Sequence, residues 1–257
     1  MRTSQCVVLV AAAVLTVACS GAAAAPERPA PAPVAAPAAA APPVVVLDPG
    51  HNGRNGAEPA ATRRLVPDGR GGEKACNTAG TSTGAGYPEH AFAFDVAKRV
   101  AAKLEAAGAR VVLTRPDDHG VGPCVDERGR AGEAAGAAAA VSIHADGAAP
   151  GSSGFHVAYS DPPLNPVQAG PAKELATALR DALRSGGFRD SDYIGRDGLS
   201  PRADLAGLNH ATRPTALVEC ANMRNPDEAA LVSSPAGRDR YAAAIADGVL
   251  AFLGLKD

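Results

Sequence analysis

The 257-residue chain is predicted to form a single α/β domain with a twisted, mostly parallel central sheet flanked by helices. Two observations support this class. Short continuous apolar runs, typical of buried parallel strands, alternate along the chain with segments in which apolar residues recur at helical spacing. The chain also contains one Pro/Ala-rich linker and no internal repeat, so that the rest of its length suits one domain.

The first 25 residues have the features of a secretory signal peptide. Arg2 precedes an apolar run at residues 7–18, which is too short for a membrane anchor, and small residues follow it. We therefore expect an exported protein of the periplasm, cell wall or extracellular space, with no stable membrane span. Lipid attachment at Cys19 is a less favoured alternative, because Thr16 stands where such sites usually carry Leu, Val or Ile.

Residues 26–43 are rich in proline and alanine, which predicts an extended tether that cannot build a core. The folded domain is therefore expected at residues 44–257. Five apolar runs in it have the pattern of short strands, the last of them more weakly; they cover residues 44–47, 110–114, 140–143, 215–218 and 155–159. Three longer segments have helical spacing; they cover residues 89–107, 171–185 and 238–253.

Side chains able to bind a metal or to transfer protons stand at the carboxyl ends of three predicted strands, where ligand sites of such sheets form. They are His51, His144 and Glu219, and Glu89 adds a fourth at the start of the first helix. Two imidazoles and one carboxylate, with a fourth position left to water, form the ligand set of a catalytic zinc site. A further carboxylate could accept the proton of that water and deliver it to a leaving amine, and Glu219 suits this role.

Each of these residues also has a purely structural explanation. His51 could cap the segment that follows it, and Glu89 could be a first-turn acid facing the helix dipole. Glu219 could pair with Arg213 or Arg224. The conjunction favours a site, because independent structural roles would not require these groups to lie together.

The other histidines are interpreted as surface or hydrogen-bonding residues: His90, His119, His156 and His210. Among the cysteines, Cys76 and Cys124 are the expected disulfide pair, since both lie in Gly/Pro-rich loops of an exported chain. Closing a loop of that length would contribute about 4 kcal/mol. Cys220 lies in a strand-like run and is expected to be a small buried residue rather than a nucleophile.

Composition excludes several other functions. The 25 Lys and Arg residues against 27 Asp and Glu leave a net charge of −2, which argues against a nucleic-acid partner. No phosphate-binding glycine motif follows a strand, and the sequence at residues 151–155 only approximates the turn that carries a nucleophilic serine.

Five motifs occur in order along the domain. They are VVVLDPGHNG at 44–53, PEH at 88–90, VVLTR at 111–115, SIHAD at 142–146 and LVECANMRNPDEA at 217–229. Together they resemble the zinc-dependent N-acetylmuramoyl-L-alanine amidases of the Amidase_3 type, and most of all the compact mycobacterial-type cell-wall amidases. The resemblance covers essentially all of residues 44–253.

The resemblance implies a function for each candidate residue. His51, Glu89 and His144 match the ligands of one zinc ion, and Glu219 matches the catalytic glutamate. The implied reaction is hydrolysis of the amide between N-acetylmuramic acid and L-alanine, in peptidoglycan or in muramyl peptides, without a covalent intermediate. We expect the protein to act as a monomer.

Two other functions remain open at this point. A catalytically silent wall-binding or regulatory protein could keep the fold, although it would not need Glu219. A zinc carboxypeptidase-like peptidase would need a cation for the terminal carboxylate, for which Arg115, Arg128 and Arg196 are available. The long segment at residues 54–87 is interpreted either as a surface loop fastened by the disulfide or as a lid beside the metal.

Overall fold

The computed structural model describes residues 8–15 and 41–255. The predicted signal peptide and tether therefore lie mostly outside the described residues, and residues 8–15 have no regular secondary structure. Within the described ranges, no helix combines the length and the apolarity needed to cross a bilayer.

The domain contains eight strands and eight helices among its described residues. The strands are β1 Val44–Pro49, β2 Leu65–Pro67, β3 Glu73–Ala75, β4 Arg110–Leu113, β5 Ala139–Asp146, β6 His156–Ser160, β7 Leu199–Arg202 and β8 Thr215–Asn222. The helices are α1 Pro59–Thr62, α2 Glu89–Ala106, α3 Val125–Ala134, α4 Pro166–Ala169, α5 Pro171–Ser185, α6 Ala206–Asn209, α7 Pro226–Ser233 and α8 Pro235–Phe252.

Six strands form the central sheet in the order β4-β1-β5-β8-β6-β7. The first four strands of this order are mutually parallel, and β6 pairs antiparallel with β8 and parallel with β7. The predicted α/β class with a mostly parallel sheet flanked by helices is thus confirmed. A separate hairpin is formed by β2 and β3.

Alternate residues of the central strands face opposite sides of the sheet, and the two sides differ in chemistry. One side is apolar and is covered by α2, α5 and α8; its fully buried strand residues include Val45, Leu47, Val141, Ile143, Ala216 and Val218. The free Cys220 belongs to this core, where burial raises the pKa of its thiol. The opposite side carries Asp48, Ser142 and Glu219, with α3 packed against β1 and α6 against β8.

Helix α3 was not predicted, because its sequence lacks an apolar stripe and contains two glycines. The structure supplies a reason for Gly129, where an added Cβ atom would lie 2.7 Å from the carbonyl oxygen of Gly207. The glycine therefore lets α3 approach α6 closely. Helix α8 begins three residues before its predicted start, since Ser234 caps it by accepting a hydrogen bond from the Gly237 amide.

Candidate active site

The turn after β1 presents His51 with a backbone φ of +57°, in the left-handed region that few non-glycine residues adopt. Two buried guanidinium groups hold this turn from behind. Arg128 donates to the carbonyl oxygen of His51 at 2.7 Å, and Arg115 donates to that of Gly50 at 3.2 Å. Because these bonds fix the backbone, the unusual conformation of His51 is maintained by its surroundings.

Asp48, three residues earlier, supports the same turn from within the sheet. Its carboxylate accepts hydrogen bonds from Arg128 and from the Ser142 hydroxyl, both at 2.7 Å. Burial disfavours the charge of Asp48, but Arg128 and the hydroxyl groups of Thr114 and Ser142 hold its pKa below the usual range. Asp48 therefore anchors the turn that carries His51, and its carboxylate is already paired.

The side chains of His51, Glu89 and His144 meet at one point. Oε1 of Glu89 lies 3.1 Å from Nε2 of His51 and 2.9 Å from Nδ1 of His144. One donor atom from each residue lies within 4.8 Å of the other two, which is close enough for all three to bind one ion. The structure thus brings together three residues that are separated by 38 and 55 positions in the sequence.

Neighbouring backbone groups orient this cluster. The carbonyl oxygen of Thr78 lies 3.0 Å from Nδ1 of His51 and so turns Nε2 towards Glu89. The amide of Thr81 donates to the outer oxygen of Glu89 at 2.9 Å. Partners of this kind, outside the ligand atoms themselves, hold metal ligands in one orientation. Sequence analysis missed both threonines, and no motif marks them.

Two glycines leave the space that the cluster needs. A Cβ atom at Gly50 would lie 2.3 Å from the ring of His144, and one at Gly80 would lie 2.8 Å from both Glu89 and His51. Gly80 also has a φ of +81°, which favours glycine independently of the contact.

The protonation of the cluster suits a cation. Burial disfavours the charge of Glu89, but hydrogen bonds from His144 and His51 lower its pKa, so that it is a carboxylate at neutral pH. For His51 burial acts in the opposite direction, yet the bond to Glu89 raises its pKa. A buried carboxylate between two imidazoles fits a divalent metal ion, which would replace the protons that now hold the three groups together.

Glu219 lies beside this cluster. Glu219 on β8 is paired in register with His144 on β5. Both residues line a cleft of about 470 Å³ together with His51 and Glu89. Burial and the negative charges of Glu89 and Asp146 raise the pKa of the Glu219 carboxyl well above its ordinary value. Glu219 forms no ion pair with either arginine considered above, and Arg213 pairs instead with Glu133.

The segment at residues 54–87 forms one wall of the cleft through Lys74, Thr78 and Gly80. A disulfide joins Cys76 at its base to Cys124, the residue before α3. In the turn between β2 and β3, Arg70 donates to Asn209 at 3.0 Å and to Ser160 at 3.1 Å. The segment is thus fastened at two places, as the surface-loop interpretation requires, and it also borders the cluster of His51, Glu89 and His144.

The three arginines considered for a terminal carboxylate have other surroundings. Arg115 and Arg128 are buried and donate to backbone carbonyl oxygens, among them that of Pro49. Arg196 is 93% exposed. The remaining histidines form hydrogen bonds or lie at the surface, and His156 is buried beside Asp146. No sequence motif distinguished His156 from the others.

Comparison with known proteins identifies the family. A family model described as N-acetylmuramoyl-L-alanine amidase (Amidase_3) matches residues 45–251. The N-acetylmuramoyl-L-alanine amidase Rv3717 of Mycobacterium tuberculosis is 50% identical over 210 residues, which cover 82% of this chain and 86% of the relative.

Solved structures agree with this assignment. The crystal structure of the N-acetylmuramyl-L-alanine amidase Ami1 from Mycobacterium smegmatis is 50% identical and superposes with a TM-score of 0.81, covering 84% of this chain and 99% of that one. Apo Ami1 from Mycobacterium abscessus is 46% identical with a TM-score of 0.80, covering 83% and 100%. The matched residues contain every motif that carried the resemblance apart from one residue, Val44, and the chain belongs to the Amidase_3 family of N-acetylmuramoyl-L-alanine amidases.

Proposed function

We propose that this chain hydrolyses the amide bond between N-acetylmuramic acid and L-alanine, in peptidoglycan or its fragments. One zinc ion would be held by His51, Glu89 and His144, and Glu219 would be the general base. The observation that carries this proposal is the convergence of three ligand atoms within 4.8 Å of one another, in a cleft that Glu219 also lines. Membership of an amidase family supports the substrate class.

The donor set favours zinc among divalent ions. Two imidazoles and one carboxylate, with a further position open to the cleft, are typical of catalytic zinc sites, whereas calcium and magnesium prefer oxygen ligands. When bound, zinc lowers the pKa of water towards about 7 and polarises a carbonyl oxygen.

Glu219 would transfer the proton in this reaction. Its carboxylate accepts a proton from the attacking water, and the oxygen of that water forms the new bond to the amide carbon. The same carboxyl then gives the proton to the nitrogen of L-alanine as the C–N bond breaks. Burial raises the pKa of the Glu219 carboxyl above its ordinary value, which makes its carboxylate a stronger proton acceptor.

The location proposed for the protein follows from its amino terminus and its substrate. Residues 1–25 would act as a signal peptide and residues 26–43 as a tether, which leaves residues 44–257 as the catalytic domain outside the cytoplasm. The alternative of a lipid anchor at Cys19 would hold the same domain at a membrane surface. We propose a monomer, since the ligand atoms and Glu219 all come from one chain.

Metal content and hydrolysis, measured on the wild type and on Glu219→Ala, test the proposal. The substrate is a muramoyl-L-alanyl peptide, and the products are identified by mass spectrometry. We expect about one zinc per chain in both proteins and a turnover that falls by about 10²–10⁴-fold in the variant. Glu133→Ala is the matched control, because Glu133 is an exposed glutamate that pairs with Arg213.

The products separate the proposal from its rivals. Release of a free L-alanine amine, with the downstream peptide bonds intact, supports the amidase. Release of a carboxyl-terminal amino acid would indicate a carboxypeptidase-like enzyme. If the zinc-loaded wild type releases nothing, the chain is a silent binding or regulatory protein, and full activity of Glu219→Ala would remove Glu219 as the base.

A further inference from the structure

A second polar cluster lies on the side of Glu219 away from the metal ligands. Four buried side-chain atoms of the described residues have no hydrogen-bond partner, and three of them are Nδ1 of His156, the hydroxyl of Tyr193 and Oε2 of Glu219. Buried polar atoms are nearly always paired in folded proteins, so that such a concentration beside one catalytic group calls for an explanation.

Strand register places His156 next to Glu219. The two residues are directly paired across the antiparallel strands β6 and β8, and directly opposed residues project from the same face, with Cβ atoms about 4.5–5.5 Å apart. On the other side, Glu219 is paired with His144. Glu219 therefore stands in a row between His144, a proposed metal ligand, and His156, an imidazole outside the group of proposed ligands.

Asp146 determines which nitrogen of His156 carries hydrogen. Oδ2 of Asp146 lies 3.4 Å from Nε2 of His156, a long contact in which a carboxylate can only accept. In the neutral tautomer that suits this contact, the hydrogen is on Nε2 and Nδ1 has a free lone pair. The buried Nδ1 atom is consequently an acceptor without a donor.

Tyr193 supplies the complementary group. Its ring stands edge-on to that of His156, with centroids 6.3 Å apart. Burial, together with the nearby charges of Asp146 and Glu219, raises the pKa of the Tyr193 phenol, so that it remains a neutral O–H donor. The cluster thus contains a hydroxyl donor that interacts only weakly with Asp146 and an unused acceptor on His156, both near the carboxyl group of Glu219.

We propose that His156 and Tyr193 are positioning residues for Glu219. The Tyr193 hydroxyl donates to the Glu219 carboxylate before it accepts a proton, and Nδ1 of His156 accepts a hydrogen bond from the carboxyl group once it holds that proton. No bond is made or broken by either residue. This inference rests on the proposed function, because it assigns the two residues to the base of that reaction.

Tyr193→Phe separates a positioning role of the Tyr193 hydroxyl from a structural one, because a structural role predicts a lower melting temperature and an unchanged kcat. In the resting structure the Tyr193 hydroxyl is removed from water and has no partner at ordinary hydrogen-bond geometry, although it lies near the Asp146 carboxylate, so that its deletion should change the free energy of unfolding little. Tyr193→Phe removes the hydroxyl and keeps the ring. We expect kcat to fall by about tenfold to a hundredfold, with KM, zinc content and melting temperature unchanged.

Tyr241→Phe is the matched control, since Tyr241 is a buried tyrosine that packs on Phe92 and Phe188 in the core on the opposite side of the sheet. It should leave kcat within about twofold of the wild type. A kcat of Tyr193→Phe that is also within twofold of the wild type would overturn the proposal.

Two substitutions of His156 test the roles of its two ring nitrogens separately. His156→Asn keeps a polar atom near the place of Nδ1, whereas His156→Gln keeps one near Nε2, within reach of Asp146. We expect His156→Asn to retain the larger kcat at equal zinc content, and the reverse order would contradict the role given to Nδ1. If neither variant folds, Tyr193→Phe alone decides.

The outcome is separable from that of the proposed function. A wild type that cleaves muramoyl-L-alanine and a Tyr193→Phe variant that cleaves it equally fast would end this inference and leave the amidase in place. A zinc-loaded wild type that cleaves nothing would end both.

Discussion

The two faces of the central sheet have different roles: one forms the apolar core and the other lines the cleft. On the face covered by α2, α5 and α8, residues such as Leu47, Ile143 and Val218 are fully buried among apolar side chains. On the opposite face stand Asp48, His144 and Glu219, each one residue further along the same strands. Each strand therefore contributes to the core with one set of alternate residues and to the cleft with the other.

This contrast indicates which substitutions the protein should tolerate. An apolar contact is non-directional, so that a similar side chain of slightly different shape can replace it at small cost. A buried charge on the other face depends on particular partners, and removal of one partner leaves the other desolvated. Substitutions on the polar face should therefore affect turnover or stability much more than substitutions of equal size on the apolar face.

The largest effect is expected for His144→Ala on the polar face. Loss of one of the three ligand atoms should lower the zinc content well below one per chain and reduce turnover by at least about 10³-fold, as loss of an activating ion would. Metal analysis and hydrolysis of muramoyl peptide measure both. His119→Ala, at an exposed histidine, is the control, and a fully loaded, active His144→Ala protein would contradict the ligand assignment.

The next largest effect is expected for Asp48→Ala. Arg128 would lose its buried carboxylate partner, at a cost of about 3–5 kcal/mol in the free energy of unfolding. Denaturant titration measures this value. A loss under about 1 kcal/mol would show that the carbonyl oxygens around Arg128 suffice for it.

Asp48 also predicts a dependence on pH. Its pKa is lowered in the folded protein, so that its stabilisation is present above the ordinary aspartate pKa of about 4 and is lost as the pH falls through the lowered value. The difference in stability between the wild type and Asp48→Asn should therefore be largest near neutral pH and should shrink below about pH 4. A difference that grows on acidification would contradict the direction of the shift.

Removal of the disulfide should have a smaller effect on stability. Replacement of both Cys76 and Cys124 by Ser frees a loop with a sequence separation of 48 and should cost about 2–4 kcal/mol. Because residues 54–87 border the cluster of His51, Glu89 and His144, we also expect a change in KM or kcat. Calorimetry and kinetics test the two roles separately, and no change in either would remove both.

The smallest effect is expected for Ile143→Val on the apolar face. The residue adjoins His144, but its side chain lies in the core, and loss of one methylene should cost about 0.5–1.5 kcal/mol. Turnover and zinc content should not change. A loss of turnover comparable to that of His144→Ala would break the division between the two faces.

Much of the fold was predictable because its signals are local. The strands that begin at Val44, Arg110 and Thr215 are continuous apolar runs, and α2 repeats Phe92, Val96 and Val100 on its buried face. Helix α3 and strand β7 were missed, because glycines and polar residues in them serve contacts with distant segments. The antiparallel direction of β6 could not be predicted from its composition either.

The candidate site was predictable to a similar degree. Residues at strand ends could be expected to converge, and His51, Glu89 and His144 do converge. The groups that orient them are backbone atoms, such as the carbonyl of Thr78, which carry no sequence signal. The pairing of His156 with Glu219 depends on strand register, which emerges only when the sheet is assembled.

Arg128 joins helix α3 to the turn after β1, because its guanidinium donates hydrogen bonds to the carbonyl oxygens of Pro49 and His51. Neither segment can separate from the other without exposing several buried acceptors at once. Opening motions should therefore release the two together, and their amide hydrogens should exchange with solvent deuterium in one cooperative step. The amide-exchange rate of α3 would then report how often the His51 side chain moves out of the site.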